Sequence, residues 1–463
     1  MRLPLLALAA LTLLRLIFCA TLPLTPDEAY YFAWSAHLQT GYFDHPPMIA
    51  YLMHFGVLAA GPSPFGIRLL APLLAAAGTL LIYDAGEQFF PDRQAGLVAA
   101  ALLNATLLVG AGAVIFTPDT PLLLFWTAGI AAFARWQRSG DPRWWGGIGI
   151  AVGLALLSKY TAILFAAAIF LHLVSSRAGR AGLRTPWPWV AAVLALLIFS
   201  PDIVWNAAHH WVSYVKQGSR VAGFDARRTA QFLGEFVAGQ FFLATPMIAV
   251  LIVAGLVRLG RQNSGHVLIW LTAVPAAVFL EHVFSGRVEA NWAAIFYPSA
   301  CLAAAALPIS VLRRFLRPAL ALGVLFTAAA YAQALTAFAP LPANDDPTAI
   351  QLGGFAGLAA AAASYHPAYL TSDDYGTAAI LAFYVPRSIP VAGYVPGWWD
   401  VRWATFALPA APGGEGILIT HRLDAYCPQQ LGTIVRRRSG QVIETYRVCA
   451  FTPPGPGVLL PRP

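Results

Sequence analysis

Apolar stretches of membrane-spanning length recur along this chain, and clusters of arginine separate many of them. About 20 apolar residues make a helix long enough to cross the hydrocarbon core of a bilayer. Inside lipid the backbone must satisfy its own polar groups, so such stretches become helices. Hydrophobic residues are 58% of the chain and charged residues 11%, against about 25% charged in a soluble domain. A single soluble core does not bury that much apolar surface; lipid does. The fold class read from this pattern is a polytopic α-helical membrane protein.

The formal charge of +8 is carried almost wholly by arginine, since lysine appears only at Lys159 and Lys216. The clusters Arg135/Arg138/Arg143, Arg177/Arg180/Arg184, Arg258/Arg261 and Arg313/Arg314/Arg317 mark cytoplasmic loops under the positive-inside rule. The charge is therefore a topology signal, and nucleic acid is not an expected partner. The first run, Leu3 to Ala20, contains Arg15 and is not followed by a small-residue cleavage site, so it reads as an uncleaved first span. A long outer loop, 21–66, follows, with Met48 to Ala60 as a helix lying at the outer surface. Spans are then expected at Ile67–Asp84, Ala95–Phe116 and from there down to Arg135, with Trp144–Val174 crossing twice or re-entering. Further spans follow at Trp187–Val204, Phe241–Val257, Val267–His282, Trp292–Leu307 and Leu320–Phe338. The walk gives about eleven spans and puts residues 339–463 outside. Residues 1–338 form the membrane domain in this reading, and 339–463 a small α/β domain. In that domain a helix is expected over Asp374–Tyr384 and short alternating runs at Gly416–Thr420 and Thr433–Thr445. Cys427 and Cys449 lie there, where an oxidising compartment permits a disulfide; Cys19 and Cys301 lie in apolar segments as packing residues.

Acidic residues are scarce, so their placement carries information. Asp27, Glu28 and Asp44 fall in the first outer loop and Asp119 in the second, all on one side of the membrane by this topology. Ionisable groups beside membrane helices are functional candidates. Thr25-Pro26-Asp27-Glu28 also fits a helix start, with Thr25 as N-cap, Pro26 in the first turn and two acids on the positive end of the dipole. In Gly41-Tyr42-Phe43-Asp44-His45-Pro46-Pro47, an acid and an imidazole beside two rigid prolines fit an anion or metal site, or a polar turn into the surface helix. Lys159, in mid-run, either snorkels or pairs with a buried acid, or meets an anionic ligand.

Asp27-Glu28-Ala29-Tyr30-Tyr31 followed by Tyr42-Phe43-Asp44-His45-Pro46-Pro47 resembles the first outer loop of the polyprenyl-phosphate-dependent glycosyltransferases. These are GT-C-fold enzymes related to the protein O-mannosyltransferases and the lipid A aminoarabinose transferase. Thr117-Pro118-Asp119-Thr120-Pro121 resembles their second acidic loop, and Leu157-Ser158-Lys159-Tyr160-Thr161 their lysine motif. Trp205-Asn206 with His209, Trp211, Ser213 and Gln217, and then Arg287 to Pro298 with Glu289-Ala290-Asn291-Trp292, resemble the later outer loops. The resemblance covers roughly residues 1 to 340.

It implies a GT-C-like fold in a bacterial inner membrane, with active site and C-terminal domain facing the periplasm. The implied reaction moves a sugar from a polyprenyl-phosphate carrier to a glycolipid, glycan or protein acceptor. Asp27 takes the catalytic position, with Glu28 and Asp119 as the other catalytic candidates. Tyr42, His45, Lys159, His209, Arg287, Glu289, Asn291 and Tyr297 are implied contacts of the carrier phosphate or sugar. Asp44 stands where relatives have an acid that binds a divalent cation. The aminoarabinose transferase has a lysine beside that acid and this chain has His45, which moves the expected phosphate contact to Lys159 or Arg287. A transporter or lipid-linked sugar flippase is the alternative; it would place charges near the membrane midplane on broken helices. A scaffold without activity would not require Asp27, Asp44 and Asp119 on one side.

Overall fold

The computed structural model describes residues 2–91, 93–218, 226–262, 265–394, 409–425, 427–453 and 457–462. Of the described residues 69% are helical, and the chain divides into two compact units. One comprises Met1–Arg15, His45–Met48 and Ala71–Ala328; the other comprises Leu16–Asp44, Ile49–Leu70 and Ala329–Pro463. Residues 219–225, within the outer loop expected between Trp205 and Gln240, lie outside the described residues.

Among the described residues four helices are long and apolar enough to cross a membrane: Arg2–Thr21, Pro64–Phe89, Trp187–Ala208 and Ile309–Thr336. A fifth candidate is the pair Arg227–Ala244 and Pro246–Gln262, bent by 99°. Little of these helices is buried within the protein, and large apolar side chains such as Val193, Leu197 and Val204 stand exposed. Outward apolar faces of this kind suit lipid. Several other expected spans are present as shorter helices because the chain leaves helical geometry inside the apolar run. Ala95–Ala105 and Leu107–Gly112 part at Thr106, whose backbone is extended. Arg143–Ser158 stops at Lys159, also extended, before a 3-10 turn and the helix Ile163–Ser175. Thr245 takes a positive φ of 67° at the 99° bend.

Close packing in the first unit depends on small residues. Gly149 and Gly153 let the helix Arg143–Ser158 approach Trp187–Ala208; a Cβ on Gly149 would lie 2.6 Å from the Ala191 carbonyl oxygen. This is the small-xxx-small device of membrane helices. Arg15, fully buried in the first helix, donates to Asn104 Oδ1 and to the Val109 carbonyl, both at 3.0 Å.

The second unit carries a mixed sheet. Its described strands are β1 (Leu370–Ser372), β2 (Val391–Tyr394), β3 (Gly416–Thr420), β4 (Gln429–Arg438), β5 (Gln441–Phe451) and β6 (Gly457–Leu459). Their spatial order is β4-β5-β3-β1-β2-β6, with β1 parallel to both β2 and β3. The helix Tyr375–Tyr384 joins β1 to β2. It begins one residue inside the expected range because Asp374 is its N-cap, accepting from the Thr377 amide. The expected strand at Gly416–Thr420 is present, and the run Thr433–Thr445 proves to be a hairpin that turns at Ser439-Gly440, both with positive φ. Cys427 and Cys449 form a disulfide.

Candidate active site

The first outer helix, Pro26–Ala36, starts with a capping box: Thr25 Oγ1 accepts from the Glu28 amide, and Glu28 Oε2 accepts from the Thr25 amide at 3.0 Å. Glu28 also receives a bidentate grip from Arg68, Nε to Oε1 at 2.6 Å and Nη2 to Oε2 at 2.5 Å, with both side chains fully buried. Arg68 also donates from Nη1 to the Leu22 carbonyl and from Nη2 to the Pro23 carbonyl, both at 2.7 Å. This arrangement fixes the entry of the chain into the helix. Asp27 is its half-buried neighbour. The Tyr375 hydroxyl donates to Asp27 Oδ1 at 2.8 Å. The Tyr30 hydroxyl donates to Asp44 Oδ2 at 2.7 Å, and the rings of Tyr30 and Tyr375 meet edge to face, centroids 4.9 Å apart. Tyr42 is buried, stacked on Trp34 with its hydroxyl among the His37 and Trp34 carbonyls. Burial pushes its phenol well above the ordinary value, so it serves as a neutral clasp for the turn.

In the other unit, Lys159 Nζ donates to Asp119 Oδ1 at 2.7 Å, and Asn291 Nδ2 donates to Asp119 Oδ2 at 2.9 Å. The Trp292 ring centroid is 5.9 Å from Lys159 Nζ. The Lys159 backbone is extended at this point, just past the end of the helix Arg143–Ser158. Lys159 lines a cavity of about 200 Å³ together with His45, Tyr160, Gln217, Glu281 and His282. Asp119 and Asn291 line a different cavity of about 230 Å³, walled mostly by apolar side chains such as Leu74, Val109, Ile115 and Leu123, with Thr79, Thr117, Thr120 and Thr127 among them. The ion pair therefore has one member on a cavity rich in polar side chains and the other on a mostly apolar one.

The remaining expected residues are placed apart from these cavities. His209 stacks on Trp205, and its Nδ1 lies 2.7 Å from the Trp205 carbonyl oxygen. A carbonyl only accepts, so Nδ1 carries a proton toward it. Arg287 pairs with Glu235 at 3.0 Å on the exposed surface, where such pairs contribute at most about 1 kcal/mol. Glu289 is exposed, and its carbonyl receives the Trp292 amide at the 3-10 turn. Tyr297 is buried and its hydroxyl meets Gln240, whose side chain in turn donates to the Ala290 carbonyl. Among the described residues no cluster of three or more His, Cys, Asp or Glu side chains is set to hold a metal.

Sequence reading missed Arg68, Tyr375 and the group around Asp202. Asp202 is buried and accepts from Tyr214 at 3.2 Å and Asn206 at 3.2 Å, with the Tyr160 hydroxyl 3.4 Å away. For Asp202 the signal was available, an acid four positions before Asn206 in an apolar helix. For Tyr375 it was weaker: an aromatic directly after the N-cap of an external helix.

The family model for dolichyl-phosphate-mannose-protein mannosyltransferases matches residues 44–205, a segment that opens at Asp44 and takes in Asp119 and Lys159. A lipid A galacturonosyltransferase, RgtD of Rhizobium johnstonii, is 27% identical over 280 residues, 58% of each chain. An undecaprenyl phosphate-alpha-4-amino-4-deoxy-L-arabinose arabinosyl transferase of Sodalis glossinidius is 28% identical over 124 residues, 26% of this chain and 22% of that one. The chain thus spans less than two thirds of the length of either curated relative. The crystal structure of ArnT from Cupriavidus metallidurans bound to undecaprenyl phosphate superposes with a TM-score of 0.66 at 14% identity, over 96% of this chain and 97% of that one. The chain has the fold of that protein. The resemblance to polyprenyl-phosphate-dependent transferases, carried in the sequence by the loop motifs, is borne out. The matched family segment places Asp44, Asp119 and Lys159 within shared sequence, whereas Asp27 precedes it.

Proposed function

We propose that this chain is an integral membrane glycosyltransferase that moves a sugar from polyprenyl phosphate to lipid A or a related envelope glycolipid. The observation that carries the reading is the Lys159–Asp119 pair, with a cavity rich in polar side chains at Lys159 and a mostly apolar one at Asp119. A polyprenyl phosphate has the same two-sided chemistry, an anionic head on an isoprenoid tail. Lys159, His45 and His282 offer cations or donors to the head, and Glu281 is the one acid among the described residues of that wall. The relative named as a lipid A galacturonosyltransferase supports the acceptor, and its sugar supports a hexose-like donor.

In the reaction, an acceptor hydroxyl loses its proton to a base while its oxygen bonds the anomeric carbon. The bond from that carbon to the phosphate oxygen breaks, and polyprenyl phosphate leaves with the electron pair. We assign the proton to Asp27, a carboxylate already oriented by a hydroxyl donor. We assign the leaving charge to Lys159. Glu28 holds structure through Arg68, and Asp119 positions Lys159. Asp44 accepts from the Tyr30 hydroxyl, and no step is routed through a metal. Residues 1–338 are assigned to the catalytic membrane domain and 339–463 to a periplasmic domain; the disulfide between Cys427 and Cys449 fits that oxidising side.

The test is reconstitution of the purified chain in liposomes with lipid A and a polyprenyl-phosphate hexuronic acid. The expected product is lipid A heavier by one sugar residue, read by mass spectrometry. Passage of the labelled donor across the bilayer with lipid A unaltered would instead make the chain a flippase.

A further inference from the structure

We infer that Tyr375, on the first turn of the helix Tyr375–Tyr384, is a positioning residue for the carboxylate of Asp27. The C-terminal segment then supplies part of the catalytic apparatus. The inference rests on the reading of Asp27 as the base.

The contact belongs to a fixed helix pair within one compact unit. Gly376 packs on Pro26 so closely that a Cβ there would lie 2.7 Å from the Pro26 Cβ. Phe383 meets Phe32 edge to face, centroids 5.5 Å apart, and the Tyr384 hydroxyl accepts from the Leu24 amide at 3.2 Å. These contacts leave the helix little freedom to slide along Pro26–Ala36. Tyr375 is the residue that this register brings to Asp27, and its ring is braced by Tyr30. Oδ1 of Asp27 is thereby engaged in a known direction. A carboxylate that receives a hydroxyl is favoured in its charged form, the form in which a base can accept a proton. Restricting its rotation also holds the carboxylate near one orientation, and orientation is worth large rate factors.

The test compares wild type, Tyr375→Phe, Asp27→Asn and a chain with 3,5-difluorotyrosine at position 375. Phenylalanine keeps the ring against Tyr30 and removes only the hydroxyl. Its kcat is expected to fall about ten-fold with KM for the donor unchanged, since one hydrogen bond is worth about a factor of ten. The acidic limb of the kcat–pH profile should move up by about half a unit to one unit. Difluorotyrosine is a stronger donor and should move that limb the other way, which packing alone does not explain. An unmoved limb and unchanged kcat in Tyr375→Phe, with Asp27→Asn inactive, overturn the inference and leave the base assignment standing. Normal turnover in Asp27→Asn overturns both. The difluorotyrosine chain retains a hydroxyl and ring, so it still decides the matter where Tyr375→Phe is unstable.

Discussion

Asp27 and Glu28 are consecutive, yet the structure gives them opposite surroundings. Successive helical residues point about 100° apart, so when Glu28 turns inward to Arg68, Asp27 faces another direction. Thr25 and Pro26 made the helix start legible, and the capping box is what an N-cap threonine with an acid three residues on predicts. Arg68 was not legible as the partner, because it sits 40 residues later at the head of another apolar run. Pairing at that distance leaves no local trace in the sequence. The two acids are separated experimentally by stability. Glu28→Gln leaves the Arg68 guanidinium buried against a neutral group, and breaking a buried pair costs about 3–5 kcal/mol. Glu28→Gln is therefore expected to lower the thermal unfolding midpoint in detergent by several degrees, whereas Asp27→Asn leaves it near wild type. Equal midpoints for wild type and Glu28→Gln would show that the ion pair is not what holds the loop.

At the scale of elements, hydropathy located most of the apolar runs and could not see where they break. The run Trp144–Val174 has neither proline nor glycine near Lys159 to stop a helix, and still the backbone at Lys159 is extended. The cause is tertiary: the ammonium reaches Asp119, 40 residues upstream, at 2.7 Å. The alternatives read from the sequence, pairing with a buried acid or meeting an anion, are compatible once Asp119 is seen as the partner that presents the lysine. Lys159→Met should weaken binding of a short-chain polyprenyl phosphate about ten- to a hundred-fold, the range for a hydrogen bond to a charged group. That variant alone strands the largely buried Asp119. The pair Lys159→Met/Asp119→Asn removes both charges and should bind as weakly. Wild-type affinity in the double variant, measured by calorimetry in detergent, would remove Lys159 from the phosphate site.

At the scale of the whole molecule, the sequence divides at residues 338/339, where membrane-length runs give way to short alternating ones. The compact units are drawn differently: Leu16–Asp44 and Ile49–Leu70 pack in the same unit as Ala329–Pro463. Tyr375 on Asp27 and Tyr384 on Leu24 are among the contacts within it. Composition along the chain carries no information about such pairing, whereas the disulfide partners could at least be nominated from their polar setting. The Cys427–Cys449 bond makes a directional statement about the membrane, because bonds of this kind persist in oxidising compartments. It agrees with the expectation from the arginine clusters that residues 340–463 lie outside. A fluorescent or enzymatic reporter active only in the cytoplasm, fused after Pro463, is therefore expected to stay dark. In intact spheroplasts, a membrane-impermeant maleimide should label the chain only after an impermeant reductant has opened the Cys427–Cys449 bond, since Cys19 and Cys301 are buried. Substituting both Cys427 and Cys449 by alanine should abolish that labelling. A bright reporter, or labelling that requires permeabilised membranes, would reverse the orientation and place the first loop and its acids on the cytoplasmic side.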